Sequence, residues 1–183
     1  MGKRFLTIFI LVVSALLSAT TTTHADTAGS SAALTPIEIS KPKDNRSEIL
    51  HDYLLKYNSP LAPYAKNFID EADRNNLDWK LVVSIAGNES YFGQMIPSNS
   101  YNGWGYGIYG NNVRYFSSWD EGIAVVSKAI RTDYVNKLGT SNIYEIGSMY
   151  AQDPTWANKV TNYMASLDQF ASENPNHVLS ISL

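Results

Sequence analysis

Apolar residues recur at helical spacing along most of the chain after residue 43, and this pattern predicts a mostly α-helical domain. The face of the first predicted helix is formed by five apolar or aromatic residues: Ile49, Leu50, Tyr53, Leu54 and Tyr57. A second helix is predicted to open at Ser59-Pro60, where an N-cap residue is followed by proline at the first helical position. Asp78 is predicted to cap a third helix that runs from Trp79 to about Glu89.

The second half of the chain carries three further helix signals. Ser118 and Glu121 have the spacing of a capping box, so a fourth helix is predicted to start there and to stop near Gly139. Two more helices are predicted, the first from Ser141 to near Ala151 and the second from Asp153-Pro154 through Leu167. The sequence as a whole therefore indicates a mostly α-helical domain over residues 44–172.

Residues 90–117 break the helical pattern, and we call this segment the aromatic loop. It holds five of the 11 glycines, and nine of the 22 aromatic residues fall between Tyr91 and Trp119. A loop of this length inside a compact domain is usually functional. Part of it, from Tyr106 to Tyr115, is also compatible with a short β-hairpin.

The composition of the aromatic loop is typical of a cleft that binds flat, amphipathic ligands. Sugar rings present C–H faces to aromatic planes, while amides and backbone groups bond their hydroxyls. The loop supplies amide and hydroxyl groups at Asn99, Ser100, Asn102, Asn111 and Asn112. The alternative interpretation is structural: the loop buries its own rings and binds nothing.

Glu89 is the residue in this region that most suggests catalysis. It follows Val82, Ile85 and Ala86 at helical spacing, so it extends an apolar stripe to the edge of the aromatic loop. We therefore expect a half-buried acid that keeps its proton near neutral pH, as a glycosidic general acid must. The alternative is a solvated glutamate in the last turn of a helix.

The aromatic loop offers no second acid to work with Glu89. No Asp or Glu occurs between Ser90 and Ser118. The next acids, Asp120 and Glu121, are expected to stabilise the start of the fourth helix. A mechanism with one carboxylate is thus favoured over a pair of carboxylates.

The N-terminal residues have the features of an export signal. Lys3 and Arg4 precede a short apolar run, and a small-x-small site predicts cleavage after Ala25, with cleavage after Ala19 as an alternative. An uncleaved anchor is the other interpretation of residues 1–25. Residues 26–43 are predicted to be a disordered linker, and residues 173–183 a C-terminal tail.

Charge and composition exclude several function classes. Without Lys3 and Arg4, 12 basic residues stand against 17 acidic residues, a formal net charge of −5, which argues against nucleic-acid binding and against an anionic membrane surface. The chain has no cysteine and three dispersed histidines, so we expect no metal site and no cofactor.

Three segments carry a resemblance to known enzymes. The run Ile85-Ala86-Gly87-Asn88-Glu89-Ser90-Tyr91-Phe92-Gly93 resembles the Glu-Ser-x-Phe signature of bacterial lytic transglycosylases with a lysozyme-like domain. The stretch from Tyr101 to Gly107 is similar to the substrate-groove segment of the neighbouring glucosaminidase family. The run from Tyr150 to Trp156 resembles that family's Tyr-Ala-x-Asp-Pro segment. Together they span roughly residues 60–170.

The resemblance implies a lysozyme-like fold and an enzyme that cleaves β-1,4 linkages between N-acetylated amino sugars in peptidoglycan. It implies Glu89 as catalytic acid and Tyr150 as a residue close to it. Substrate contacts are then expected from Ser90, Phe92, Tyr101, Asn102, Trp104, Tyr106 and Tyr109.

Three functions stay open: a lytic transglycosylase, a glucosaminidase that uses water as acceptor, and a catalytically silent glycan-binding module. The expected partner is the peptidoglycan glycan strand, and we expect no membrane association beyond an uncleaved signal anchor. We expect a monomeric protein that is secreted or held in the cell envelope.

Overall fold

The computed structural model describes residues 44–108, 110 and 112–174. The predicted signal (1–25), the predicted linker (26–43), Tyr109 and Asn111 lie outside the described residues, as does the predicted tail from residue 175 onward. The described residues form six α-helices of eight residues or more. They are α1 (Arg46–Lys56), α2 (Ala65–Asn75), α3 (Leu81–Ser90), α4 (Trp119–Ala129), α5 (Ile143–Tyr150) and α6 (Trp156–Glu173).

The prediction of a mostly α-helical domain is confirmed. The suggested hairpin between Tyr106 and Tyr115 is wrong for the described residues, which contain no β-strand and only a single bridge position at Asn112. Side chains such as Ser90 and Asn102 form hydrogen bonds to backbone groups of the aromatic loop. These backbone groups therefore need no partner in a neighbouring strand. Within the described part of the chain, no helix has the length and the apolarity that crossing a membrane requires.

Helix α3 is the centre of the core. All seven residues from Leu81 to Gly87 are buried, and α2, α4 and α6 pack against this helix. A helix that is apolar on every side is stable only when neighbours cover it all round. Asn88 and Glu89, in the last turn of α3, are the residues of this helix that reach the surface.

The apolar faces of α1 and α2 lie where the sequence places them, but two of the predicted helix starts are wrong. Ser59 accepts a hydrogen bond from the Leu61 amide at 3.0 Å ahead of a 3-10 turn, Ala62–Tyr64, and α2 begins only at Ala65. The Asp78 carboxylate accepts from the Lys80 amide at 2.9 Å, which makes a turn, and α3 starts at Leu81. In both cases a capping side chain closes a tight turn before the helix proper.

The capping box at α4 is confirmed with one change. The Ser118 hydroxyl accepts from the Glu121 amide at 3.2 Å, whereas the Glu121 carboxylate bonds the amide and hydroxyl of Ser117, each at 2.6 Å. These bonds hold the pKa of the Glu121 carboxyl below its usual value. The helix continues through a π-helical segment, Ile130–Val135, and a last turn, and it ends before Gly139 as predicted.

The last two helices also start later than predicted. Asn142, and not Ser141, caps α5 by accepting from the Tyr144 amide at 2.9 Å. Helix α6 begins at Trp156, and it includes Glu173, so the helical domain passes the predicted boundary at residue 172 by one residue.

Candidate functional site

The Glu89 carboxylate stands at the end of α3, where the core opens to solvent. Its Oε1 accepts a hydrogen bond from the Trp156 indole Nε1 at 2.7 Å and another from the Asn88 amide at 3.0 Å. Its Oε2 faces Gly105, where a Cβ atom would lie 3.5 Å away. One oxygen is therefore held by neutral donors, and the other points towards the aromatic loop.

The predicted half-burial of Glu89 is wrong, because its side chain is exposed. Glu89 belongs to the last turn of α3, and the apolar wall formed by Val82, Ile85 and Ala86 ends before it reaches the carboxylate. Helical spacing in a sequence predicts which residues share a face of the helix. It does not show at which residue the neighbouring helices cease to cover that face.

Trp156, which the sequence did not single out, fixes the orientation of Glu89. Its ring is 2% exposed and stacks on Tyr150, with centroids 4.8 Å apart and an interplanar angle of 26°. Gly147 in α5 allows this position, since a Cβ there would lie 2.8 Å from the ring. In the sequence, Trp156 stands out only as the last residue of the run from Tyr150 that carries the resemblance.

Tyr150 lies beside this pair, because its ring stacks on Trp156 and its phenol lies close enough to feel the charge of Glu89. Its hydroxyl donates to the backbone oxygen of Trp104 at 2.8 Å, which ties the end of α5 to the aromatic loop. Burial raises the pKa of the Tyr150 phenol well above its ordinary value, and the negative charge of Glu89 raises it further. The phenol therefore stays neutral at physiological pH, next to a carboxylate.

A cleft of about 350 Å³ adjoins these residues. Its walls come from the aromatic loop (Gly105 to Ile108) and from the end of α5 and the residues after it (Ser148 to Gln152). Gly105 connects the cleft to Glu89, because it lines the cleft and also faces Oε2. Its φ of +62° is a left-handed conformation that favours glycine, and a side chain here would intrude in front of the carboxylate.

Four of the predicted substrate contacts are buried, so their predicted role in contacting a ligand is wrong. Phe92 and Trp104 have 0% exposure, and Ser90 and Asn102 have 2%. The Trp104 indole donates to the Val82 oxygen at 3.0 Å, so it anchors the loop to α3. These side chains have no surface to offer a ligand, and they shape the loop instead.

Ser90 and Asn102 shape the loop through hydrogen bonds to its backbone. The Ser90 hydroxyl donates to the Gly103 oxygen at 2.7 Å and accepts from the Gly93 amide at 2.8 Å. The Asn102 amide nitrogen donates to the oxygens of Tyr106 and Arg114 at 2.9 and 3.0 Å, and its oxygen accepts from the Tyr106 amide at 3.1 Å. Polar groups that the sequence assigned to a ligand are thus used inside the protein.

The loop leaves α3 through a strained turn. Tyr91, Phe92 and Gly93 all have positive φ angles, of 50°, 57° and 83°, directly after Glu89 and Ser90. Left-handed backbone at residues other than glycine persists only where surrounding contacts impose it, and it concentrates at functional sites. Here the Ser59 hydroxyl, donating to the Phe92 oxygen at 2.8 Å, is one of those contacts.

Two predicted contact residues do present surface. Tyr101 is 37% exposed and packs edge-on against Trp119, with centroids 5.6 Å apart. Tyr106 is half-buried, lines the cleft and carries the Arg114 guanidinium over its ring at 5.1 Å. Tyr109, the remaining predicted contact, lies outside the described residues.

Three acids that follow the aromatic loop or α5 in sequence are engaged with other side chains. Asp120 accepts a hydrogen bond from the Asn67 side chain, and Glu121 is bonded to Ser117. Asp153 accepts from Lys159 at 2.7 Å and from Thr155. Among the residues that the structure describes, no group of three His, Asp or Glu side chains is placed to hold a metal ion.

No family model matches this chain, and no curated protein matches it at a significant level.

Proposed function

We propose that this protein cleaves β-1,4 linkages between N-acetylated amino sugars in peptidoglycan, as a lytic transglycosylase with a lysozyme-like arrangement and one catalytic carboxylate, Glu89. The observation that carries the proposal is the asymmetry of this carboxylate. Oε1 is held by Trp156 and Asn88, while Oε2 faces the cleft edge at Gly105. The resemblance of the segments around Glu89, Tyr106 and Tyr150 supplies the substrate class.

In the first step, Glu89 in its protonated form donates the proton from Oε2 to the glycosidic oxygen, and the bond from that oxygen to the anomeric carbon breaks. In the second step, the carboxylate takes the proton of the sugar's own 6-hydroxyl. The 6-oxygen then bonds to the anomeric carbon, which leaves a 1,6-anhydro end. One residue serves as acid and then as base, so no second carboxylate is required.

Tyr150 is proposed to act on the positive charge that develops at the sugar. Its phenol is neutral, and its hydroxyl proton is already committed to the Trp104 oxygen. The phenolic oxygen is therefore oriented as an acceptor, which suits an electron-poor centre or the N–H of an acetamido group.

Hydrolysis is the second candidate, and the exposure of Glu89 favours it. A solvent-accessible carboxylate can activate water in the second step, which would give a reducing end as in a glucosaminidase. A silent glycan-binding module is the third candidate, but such a module has no need for a carboxylate held by an indole donor.

The test is to digest purified peptidoglycan with the protein and to measure the masses of the soluble products. Anhydro ends are expected, reducing ends would show the hydrolase, and no release would contradict both enzymatic functions.

Glu89→Gln should lower turnover by about 10²–10⁴-fold, the scale of a lost general acid–base. Glu121→Gln is the matched control, because Glu121 bonds Ser117 at the start of α4, and it should keep turnover.

A substrate in the cell wall also requires an extracytoplasmic location, which we propose on the basis of the predicted signal. Intact-mass measurement on secreted or envelope material should find a chain starting near Asp26. Full-length chain beginning at Met1 in the cytoplasmic fraction would contradict export. Sedimentation of this material should show the proposed monomer.

A further inference from the structure

A second cavity, separate from the residues around Glu89, lies at the opposite end of α3. Its volume is about 490 Å³, within the range of small-molecule sites. Residues from the α2–α3 connection, the π-helical segment, α5 and α6 line it. Six of the side chains that line it are apolar, and we call them the floor of the cavity: Leu77, Leu81, Val135, Ile143, Met164 and Ala165.

Arg131 gives this cavity a positive charge that no carboxylate of the described residues contacts. The side chain is half-buried at the cavity wall, yet it makes no ion pair or hydrogen bond within the described residues. Every other arginine in the described region has a carboxylate or aromatic partner: Arg46 with Asp44 and Asp73, Arg74 with Glu71, and Arg114 with Tyr106. A guanidinium without a counter-ion keeps its donors available for a carboxylate, which it can bind through two parallel hydrogen bonds.

The other charged residues of the lining are one lysine and two aspartates. Lys80 bonds Asp168 at 2.7 Å across the rim, and Asp78 lies 3.7 Å from the same ammonium group, so these three side chains together carry one negative charge and Arg131 balances it. The Thr161 hydroxyl oxygen, on the wall, is buried and has no hydrogen-bond partner. Arg131 also stands in a π-helical segment, a distortion that is frequent at functional sites.

We propose that this cavity binds a small amphipathic carboxylate, with the carboxylate group on Arg131 and the apolar body on the floor formed by Leu81, Ile143 and Met164. The guanidinium matches a carboxylate with two parallel hydrogen bonds. The apolar lining removes a short hydrocarbon body from water. This site is independent of Glu89 and does not depend on the proposed peptidoglycan activity.

The test uses octanoate as the probe and octanamide as its neutral counterpart, added to the full chain. Binding is measured by calorimetry and located by amide chemical shifts. Octanoate should shift residues of the cavity, in α5 and α6, and should bind about tenfold more tightly than octanamide, the factor expected from one charge-assisted contact. Equal binding of the two probes, or shifts confined to the region of Glu89, would overturn the proposal.

Three variants test whether Arg131 binds the carboxylate group and whether the cavity holds the hydrocarbon body. Arg131→Gln should weaken octanoate binding about tenfold and leave octanamide binding unchanged. Arg114→Gln, the same change at an arginine that does not line the cavity, should have no effect. Ala165→Phe fills the cavity from an exposed position and should abolish binding of both probes, so the proposal stays testable if Arg131→Gln fails to fold.

Two further outcomes would contradict the proposal. One is octanoate binding that survives Ala165→Phe. The other is octanoate binding that appears only after residues 175–183 are removed, because that result would make the C-terminal segment, and not a small carboxylate, the occupant of the cavity.

Discussion

The two segments that line the cleft beside Glu89 are held in opposite ways. The aromatic loop is fixed from inside, by buried Trp104 and Asn102 bonded to backbone groups. The connection between α5 and α6, residues 151–155, is exposed except at its first residue, and polar contacts of Asp153 fix it from outside. A long irregular segment needs buried side chains that bond its backbone. A short turn next to a helix can be held by the hydrogen bonds of one exposed carboxylate.

This difference predicts how substitutions in each segment change the free energy of unfolding. Substitutions inside the aromatic loop should cost folding stability at every pH and salt concentration. Changes in the connection should have small effects that depend on pH and salt.

The largest effect is expected for Trp104→Ala. The side chain is fully buried, and its loss leaves a cavity and removes the hydrogen bond from the indole to the Val82 oxygen. The free energy of unfolding should fall by about 3–5 kcal/mol, measured by urea denaturation. A decrease below about 1 kcal/mol would show that the loop is not anchored through the core.

Tyr106→Ala tests the exposed side of the same loop. The ring is half-buried at the cleft and packs against Arg114, so its removal should change stability much less than Trp104→Ala does. Glycan binding should weaken by about 1–3 kcal/mol, the scale of losing one large apolar contact. Affinity that is unaffected by Tyr106→Ala would remove this cleft from the proposed substrate path.

Much of the fold follows from sequence because helix faces depend on local spacing. The buried faces of α1 and α2 and the Ser118 cap follow directly from periodicity and capping chemistry. Helix starts were predicted too early at Ser59, Asp78 and Ser141 because turns and helices use the same capping residues.

Glu89 and Tyr150 were named from sequence as site residues, and their roles stay a prediction. The structure brings them close enough that the charge of Glu89 raises the pKa of the Tyr150 phenol. The division of the aromatic loop into buried and exposed rings was not predictable, because Trp104 and Tyr106 are two residues apart and equally aromatic. Only the packing on α3 decides that one of them is core and the other is surface.

Trp156→Phe tests whether the indole donor positions the proposed acid. Phenylalanine keeps an aromatic ring against Tyr150 but removes the hydrogen bond to Oε1 of Glu89. Because Glu89 is exposed, water can replace part of this bond, and we expect kcat on peptidoglycan to fall only about tenfold with KM little changed. Trp119→Phe removes the same atoms from another buried tryptophan, and it should lower the melting temperature similarly without the change in kcat.

The smallest effect is expected at Asp153, which fixes the exposed connection. Bonds from Lys159, first of all, and from Thr155 lower the pKa of the Asp153 carboxyl from 3.8 to about 2. A carboxyl whose pKa is lower in the folded chain than in the unfolded chain stabilises the fold above the unfolded value. That contribution is lost as the pH falls from about 4 towards about 2.

Asp153→Asn keeps an oxygen that can accept from the Thr155 amide but removes the charge that binds Lys159. The melting temperature of the variant should therefore be slightly lower than that of the unchanged chain at pH 6. The difference should shrink below pH 4, disappear near pH 2 and decrease in high salt at any pH, since the pair is exposed. A difference that is constant across this range would mean that the connection is held, like the aromatic loop, by packing rather than by charge.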